Sequence, residues 1–109
     1  MKFNTKVIHG GQHHDPSTGA VMPPVYQTST FVQTSPGQPL NPDYEYSRAA
    51  NPTRTALENA LASIENGTRG LAFSSGLAAT DCLLRSFKAG DEIIAMDDLY
   101  GGTYRMFTR

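Results

Sequence analysis

The stretch AFSSGLAAT, residues 72–80, sets two serines and a glycine where a short apolar run gives way to a helical pattern. The unpaired N–H groups and positive dipole end of a helix start favour an anion. Gly76 lets the backbone approach such a group closely, and Ser74 and Ser75 add hydroxyl donors. Phosphate binding is one reading; a capped tight turn is the plainer one. The stretch has neither the glycine spacing of a dinucleotide site nor the lysine of a Walker loop, which disfavours an ordinary nucleotide. A second stretch, DDLYGG at 97–102, puts Tyr100 beside Gly101 and Gly102. That is an aromatic with room for a flat ring, or a half-buried tyrosine beside a turn. A third, YEYSRAANPTR, gathers Tyr44, Tyr46, Arg48 and Arg54. Phenol and guanidinium groups suit a phosphate, unless the arginines pair with Asp43 or Glu45 in a solvated loop.

Two other constellations carry less. His9, His13, His14 and Asp15 contain metal-ligand types, but Gly10 and Gly11 break the helix that would aim His9 and His13 together. Cys82 stands among apolar neighbours in a helical pattern and reads as a core residue.

The elements that must position these groups begin late. Glycines and prolines interrupt every candidate helix before residue 45, so the front of the chain reads as an extended arm lying on its own or a partner's surface. Val21, Val25 and Phe31 give the arm apolar contacts. Residues 51–67 predict a helix, with Asn51 as N-cap, Pro52 at its first position and Gly67 as its stop. Leu57, Ala60, Leu61 and Ile64 fall on one face of it. Residues 69–73 predict a strand, the segment from Gly76 to Gly90 a helix, and residues 92–96 a strand buried on both faces. Strand, helix and strand in about thirty residues make a βαβ unit with a parallel sheet. Ligands of such sheets sit beyond the carboxyl ends of the strands, where SSGL and DDLYGG both fall. A further helix is expected to begin near Gly101 or Gly102.

Bulk properties set the bounds. The 109 residues are 39% hydrophobic and 17% charged, with a net charge of -1, as in an ordinary globular domain. That balance gives no reason to expect nucleic acid or an anionic membrane as partner. No apolar run is long enough to cross a bilayer, and MKFNTKVIHGG has no signal core. The single cysteine excludes an internal disulfide and makes a reducing cytoplasm the simplest home. The apolar and aromatic pattern still runs at YRMFTR, which reads as the front part of something longer.

YSRAANPT, AFSSGLAAT and DDLYGGTYR, in that order, resemble the amino-terminal part of the trans-sulfuration family of pyridoxal phosphate enzymes. TKVIHGGQ and VMPPVYQTSTF, ahead of them, fit as well. The family contains cystathionine γ-synthase, cystathionine γ- and β-lyases, methionine γ-lyase and O-acetylhomoserine sulfhydrylase. The resemblance covers nearly the whole chain but only about a quarter of a full-length member. It implies an α/β fold of the aspartate aminotransferase-like class (fold-type I), with a mostly parallel sheet. Residues 1–50 would be an extended arm for inter-subunit contacts, and residues 51–109 the beginning of the cofactor-binding large domain. The implied cofactor is pyridoxal 5'-phosphate, which draws electrons from a substrate carbon so that a β or γ substituent leaves or is replaced.

The resemblance also implies site roles. Ser75, Gly76 and Leu77 would hold the cofactor phosphate, the last two by backbone N–H. Tyr100 would stack on the cofactor ring and handle a substrate proton. Tyr46 and Arg48 would reach a neighbouring subunit's cofactor phosphate, and Arg48, Tyr100 and Arg105 would contact the amino-acid substrate. The assembly implied is a homo-oligomer, a dimer of dimers, with shared active sites. DDLYGGTYR is similar to the γ-synthase and γ-lyase members; methionine γ-lyases carry a cysteine at the position of Gly102, which disfavours that activity. The family's Schiff-base lysine lies downstream and is none of Lys2, Lys6 and Lys88, so these 109 residues are expected to be inactive alone. Two alternatives stand beside this reading: a stand-alone phosphate-binding α/β module, and a non-catalytic fragment that docks on longer subunits.

Overall fold

Asn51 and Pro52 start a helix as the sequence predicts. The computed structural model describes residues 1–109 and forms two units, Met1–Leu71 and Ala72–Arg109. In the first unit lie α1 (Phe3–His9), β1 (Gln33–Ser35), β2 (Gln38–Pro39) and α2 (Pro52–Ile64). In the second lie α3 (Gly76–Leu84) and α4 (Gly101–Thr108). No helix is long and apolar enough to cross a membrane.

The Asn51 side chain accepts the Thr53 N–H at 2.9 Å, which satisfies one of the orphan donors at the start of α2. The helix stops at Ile64, three residues short of Gly67. Asn66, not the glycine, takes the left-handed turn, at φ 54°. The Gly67 N–H then returns to the Ala62 carbonyl at 2.8 Å and Asn66 N–H to Ser63 at 3.5 Å, the paired bonds of a Schellman stop.

The front of the chain is more ordered than expected. Residues 3–9 form α1 without any side-chain cap, and this helix packs on α2. Contact with a neighbour replaces the local signals that a seven-residue helix lacks. Gly10 and Gly11 make the approach possible. A Cβ on Gly10 would lie 2.5 Å from Ser63 Oγ, and one on Gly11 would lie 2.2 Å from the Asn59 carbonyl oxygen. Lys6 Nζ adds a hydrogen bond to Asn66 Oδ1. Further along, β1 and β2 pair antiparallel across Pro36 and Gly37, with φ 74° at the glycine. That order suits a type II turn.

The predicted parallel sheet is absent. The only sheet is the two-stranded hairpin β1–β2, and residues 69–73 and 92–96 lie outside any strand. A parallel strand holds its place when a full ladder of neighbouring strands takes its N–H and C=O groups, and neither segment forms such a ladder here. Expected to be buried, Ile94 is instead 100% exposed. The helix from Gly76 also ends at Leu84 rather than near Gly90. Ser86 Oγ donates to the Leu83 carbonyl at 2.6 Å; the Asp91 N–H donates to the Lys88 carbonyl at 3.0 Å and the Lys88 N–H to Asp91 Oδ2 at 2.8 Å, in a turn with Gly90 at φ 99°.

No hydrophobic residue is buried in either unit. Gly10, Asp15 and Gly102 are the buried residues. The apolar face of α2 keeps Leu57 and Leu61 about half exposed, and Cys82, read as a core residue, is exposed.

Candidate functional site

In the second unit, the first turns of α3 and α4 border a hollow of ≈ 580 Å³, lined by Ser75, Gly76, Leu77, Thr80, Tyr100 and Thr103. Its size is that of a small-molecule site. Ser75 is the N-cap of α3; its backbone is extended and its Oγ accepts the Ala78 N–H at 3.1 Å. This leaves the Gly76 and Leu77 N–H groups without a partner in the chain. A Cβ on Gly76 would meet no atom within 4 Å, so the space in front of that backbone is open. The hollow therefore has two unpaired donors at the positive end of a nine-residue helix.

Tyr100 precedes α4 and the residue is 73% exposed, so a ring face is available for stacking. Gly102 is buried beneath one edge of that ring. A Cβ there would lie 2.6 Å from Tyr100 Cε1 and 3.2 Å from Leu77 Cδ2. The glycine thus makes room for the tyrosine itself. Gly101 is the position that faces open space.

Thr80 and Thr103 line the same hollow and were not singled out from the sequence. The Thr80 hydroxyl donates to the Gly76 carbonyl at 3.0 Å. Helical spacing was the available signal, since Thr80 follows Gly76 by one turn and Thr103 follows Tyr100 by three residues. Arg105 lies further along α4 and is not among the lining residues. Lys88 borders a different cavity of the second unit, with Leu84, Phe87, Asp91, Ile93, Met106 and Phe107.

In the first unit, the Arg48 guanidinium lies over the Tyr46 ring, 4.9 Å from its centroid. Both side chains are solvent-accessible, and a stacked guanidinium keeps its edge donors available to an anion. Tyr44 turns elsewhere and packs against Phe31, with ring centroids 5.6 Å apart. Neither arginine pairs with Asp43 or Glu45; Glu45 accepts from Gln33 Nε2 at 3.0 Å. Arg54 bonds the backbone of the loop before α2, so its donors are not turned toward an anion.

Asp15 is buried in a small loop of its own. Its carboxylate accepts the Thr18 hydroxyl at 2.6 Å, the Ser17 hydroxyl at 2.7 Å and the Ser17 N–H at 3.3 Å. The Thr18 hydroxyl first, then Ser17, holds this carboxyl below its ordinary value.

The family model described as Cys/Met metabolism PLP-dependent enzyme matches residues 4–109. Cystathionine beta-lyase of Coxiella burnetii is 53% identical over 105 residues, 96% of this chain and 27% of that protein. Cystathionine gamma-synthase of Mycobacterium bovis is 50% identical over 106 residues, again 96% of this chain and 27% of that one. The crystal structure of cystathionine gamma-lyase from Lactobacillus plantarum complexed with L-serine matches with a TM-score of 0.83 at 50% identity, over 99% of this chain and 28% of that one. The chain thus spans little more than a quarter of the length of these relatives. Three differently named activities stand at nearly equal identity, so overall likeness does not choose among them.

Proposed function

The chain belongs to the Cys/Met metabolism PLP-dependent enzyme family, and from that premise we propose that the hollow bordered by α3 and α4 receives pyridoxal 5'-phosphate. The observation that carries this reading is the presence, on one hollow, of two unpaired N–H groups and an open tyrosine ring. The donor set fits the group. Gly76 and Leu77 offer N–H to the phosphate, Ser75 a hydroxyl hydrogen, and Tyr100 a face for the pyridine ring. The clear space in front of Gly76 is where a phosphate would lie.

When bound, the cofactor supplies an electron sink for a substrate carbon, which serves β/γ-elimination or γ-replacement on sulfur amino acids. The chain's own residues bind and orient. The Tyr100 phenol oxygen is suited to hold a substrate proton. Arg48 and Arg105 offer guanidinium groups to an amino-acid carboxylate. Tyr46 and Arg48 reach the cofactor phosphate of a neighbouring subunit. Val21, Val25 and Leu40 in the arm are 78%, 71% and 68% exposed, an apolar surface for a second copy in a dimer of dimers with shared sites. A reducing cytoplasm suits the single exposed cysteine.

Titration of the apoprotein with pyridoxal phosphate, and in parallel with pyridoxal, tests the phosphate assignment. Gly76→Val fills the cradle with two methyl groups. It should weaken pyridoxal phosphate about tenfold or more, the scale of a lost charge-assisted hydrogen bond, and leave pyridoxal unchanged. Equal weakening of both compounds, or of neither, removes the phosphate from this hollow. Cystathionine turnover by residues 1–109 alone should be nil; measurable turnover would overturn the expectation that the Schiff-base lysine lies elsewhere.

A second reading has support from the absence of any buried hydrophobic residue. A chain with open apolar faces suits a non-catalytic fragment docked on longer subunits. Co-purification with a longer family member that needs no added cofactor would favour it.

A further inference from the structure

We propose that Arg54 is a positioning residue that sets the direction of the Arg48 guanidinium. Arg54 stands in the first turn of α2, and its side chain is 32% exposed. Its Nη1 donates to the Ser47 carbonyl at 3.2 Å and to the Arg48 carbonyl at 3.3 Å. Its Nη2 donates to the Ala49 carbonyl at 2.5 Å. Its Nε faces Glu58 Oε1 at 3.6 Å, one helical turn on. Three consecutive carbonyls curve around one guanidinium.

The consequence for Arg48 is direct. The carbonyls of residues 47 and 48 belong to the peptide planes on either side of the Arg48 Cα. Fixing both planes fixes the direction in which the Arg48 side chain leaves the backbone. From there the guanidinium comes to rest over Tyr46. The same helix end grips the loop a second time. Asn51 Nδ2 donates to Ser47 Oγ at 2.9 Å and to the Tyr26 carbonyl at 3.1 Å, while the Ser47 N–H donates to the Ser29 carbonyl at 2.8 Å.

The planar guanidinium spreads its N–H groups over two terminal nitrogens, which here reach three carbonyls. A lysine ammonium carries the same charge as a compact point and cannot hold that arc. Charge alone is therefore not what the position requires. The step from a directed Arg48 to cofactor binding rests on the reading that Arg48 serves a phosphate.

Arg54→Lys, Arg48→Ala and the double variant test the proposal in the intact protein. In a crystal structure of Arg54→Lys, the Arg48 guanidinium should leave the Tyr46 ring, with a separation beyond about 6 Å. Unmoved stacking in both Arg54→Lys and Arg54→Gln overturns the proposal. In pyridoxal phosphate titrations of the apoproteins, Arg48→Ala and Arg54→Lys should each weaken affinity about tenfold. The double variant should be no weaker than Arg48→Ala alone, because the two act through one group. Losses that multiply in the double variant would show that Arg54 acts apart from Arg48, and would overturn the proposal. If Arg48→Ala binds like the wild type while Arg54→Lys still unstacks Arg48, positioning stands and the phosphate role of Arg48 falls.

Discussion

The loop before α2 and the hollow at α3 and α4 present polar groups to solvent by different means. Around Tyr46 and Arg48, side chains from α2 reach back to backbone carbonyls, and the loop is tied at Ser47, Arg48 and Ala49. Around Gly76 and Tyr100, the helix starts themselves are the donors, and one serine cap is the main fixing bond. The first region closes its hydrogen bonds on itself. The second leaves its N–H groups open and its following apolar segment unpaired. A groove whose donors already had protein partners would have nothing to offer a ligand. A loop whose arginine had no scaffold would offer its charge in every direction.

The glycines give the sharpest way to break this contrast. Gly11→Ala puts a methyl group against the Asn59 carbonyl at a φ of +68°, so it should destabilise the first unit by about 2 kcal/mol in urea unfolding. Gly76→Ala should cost nothing, since its Cβ enters open space and alanine favours a helix over glycine by up to about 1 kcal/mol. Equal losses at the two positions would erase the distinction. The N-caps should separate next. Ser75→Ala removes one bond and should cost about 1 kcal/mol. Asn51→Ala removes a cap and the bonds to Ser47 and to the Tyr26 carbonyl, so it should cost more, and amide exchange should quicken at residues 46–50 as well as in α2. Exchange confined to α2 would mean that the loop does not depend on its anchors.

Acid should produce the smallest effect. The Asp15 carboxyl is held below its ordinary value by Thr18 and Ser17, so its ionised form favours the folded loop. That contribution is complete above the unfolded value of about 3.9 and is lost as pH falls through the lower folded value. Protection of the Ser17 amide should drop in that acid range, with α3 amides unchanged, and Asp15→Asn should abolish the step. A Ser17 amide indifferent to pH would remove Asp15 from the account.

What the sequence could tell follows from the range of each interaction. Asn51 with Pro52, and Ser75 with Gly76, are local signals, and both helix starts were legible. Glycine is the commoner left-handed residue, so Gly67 reads as the stop of α2, whereas Asn66 fills that role. α1 is not legible because its support is the distant surface of α2, reached through Gly10 and Gly11. Pro36 and Gly37 read as helix breakers and form the turn of a hairpin. The strands at 69–73 and 92–96 carry the right residue types, but a ladder depends on neighbours that no local pattern supplies. In the site, adjacency made Tyr46 and Arg48 readable. Arg54 fits neither a phosphate nor a pairing with Asp43 or Glu45, because its partners are main-chain carbonyls, which every sequence contains.

Residues 92–96 carry a consequence for handling the protein in solution. Ile93, Ile94, Ala95 and Met96 form an unpaired β-prone run, with Ile94 fully in water. Such a run is a template for adding a strand from another molecule, and so a seed for aggregation. Asp91 and Glu92 precede it and Asp97 and Asp98 follow it, a fence of carboxylates that repels a second copy of itself. Salt shortens the reach of that repulsion to about 10 Å at 0.1 M. Colloidal stability of this chain is therefore set by ionic strength around those four acidic residues, with dilute, low-salt buffer as the condition that keeps it dispersed.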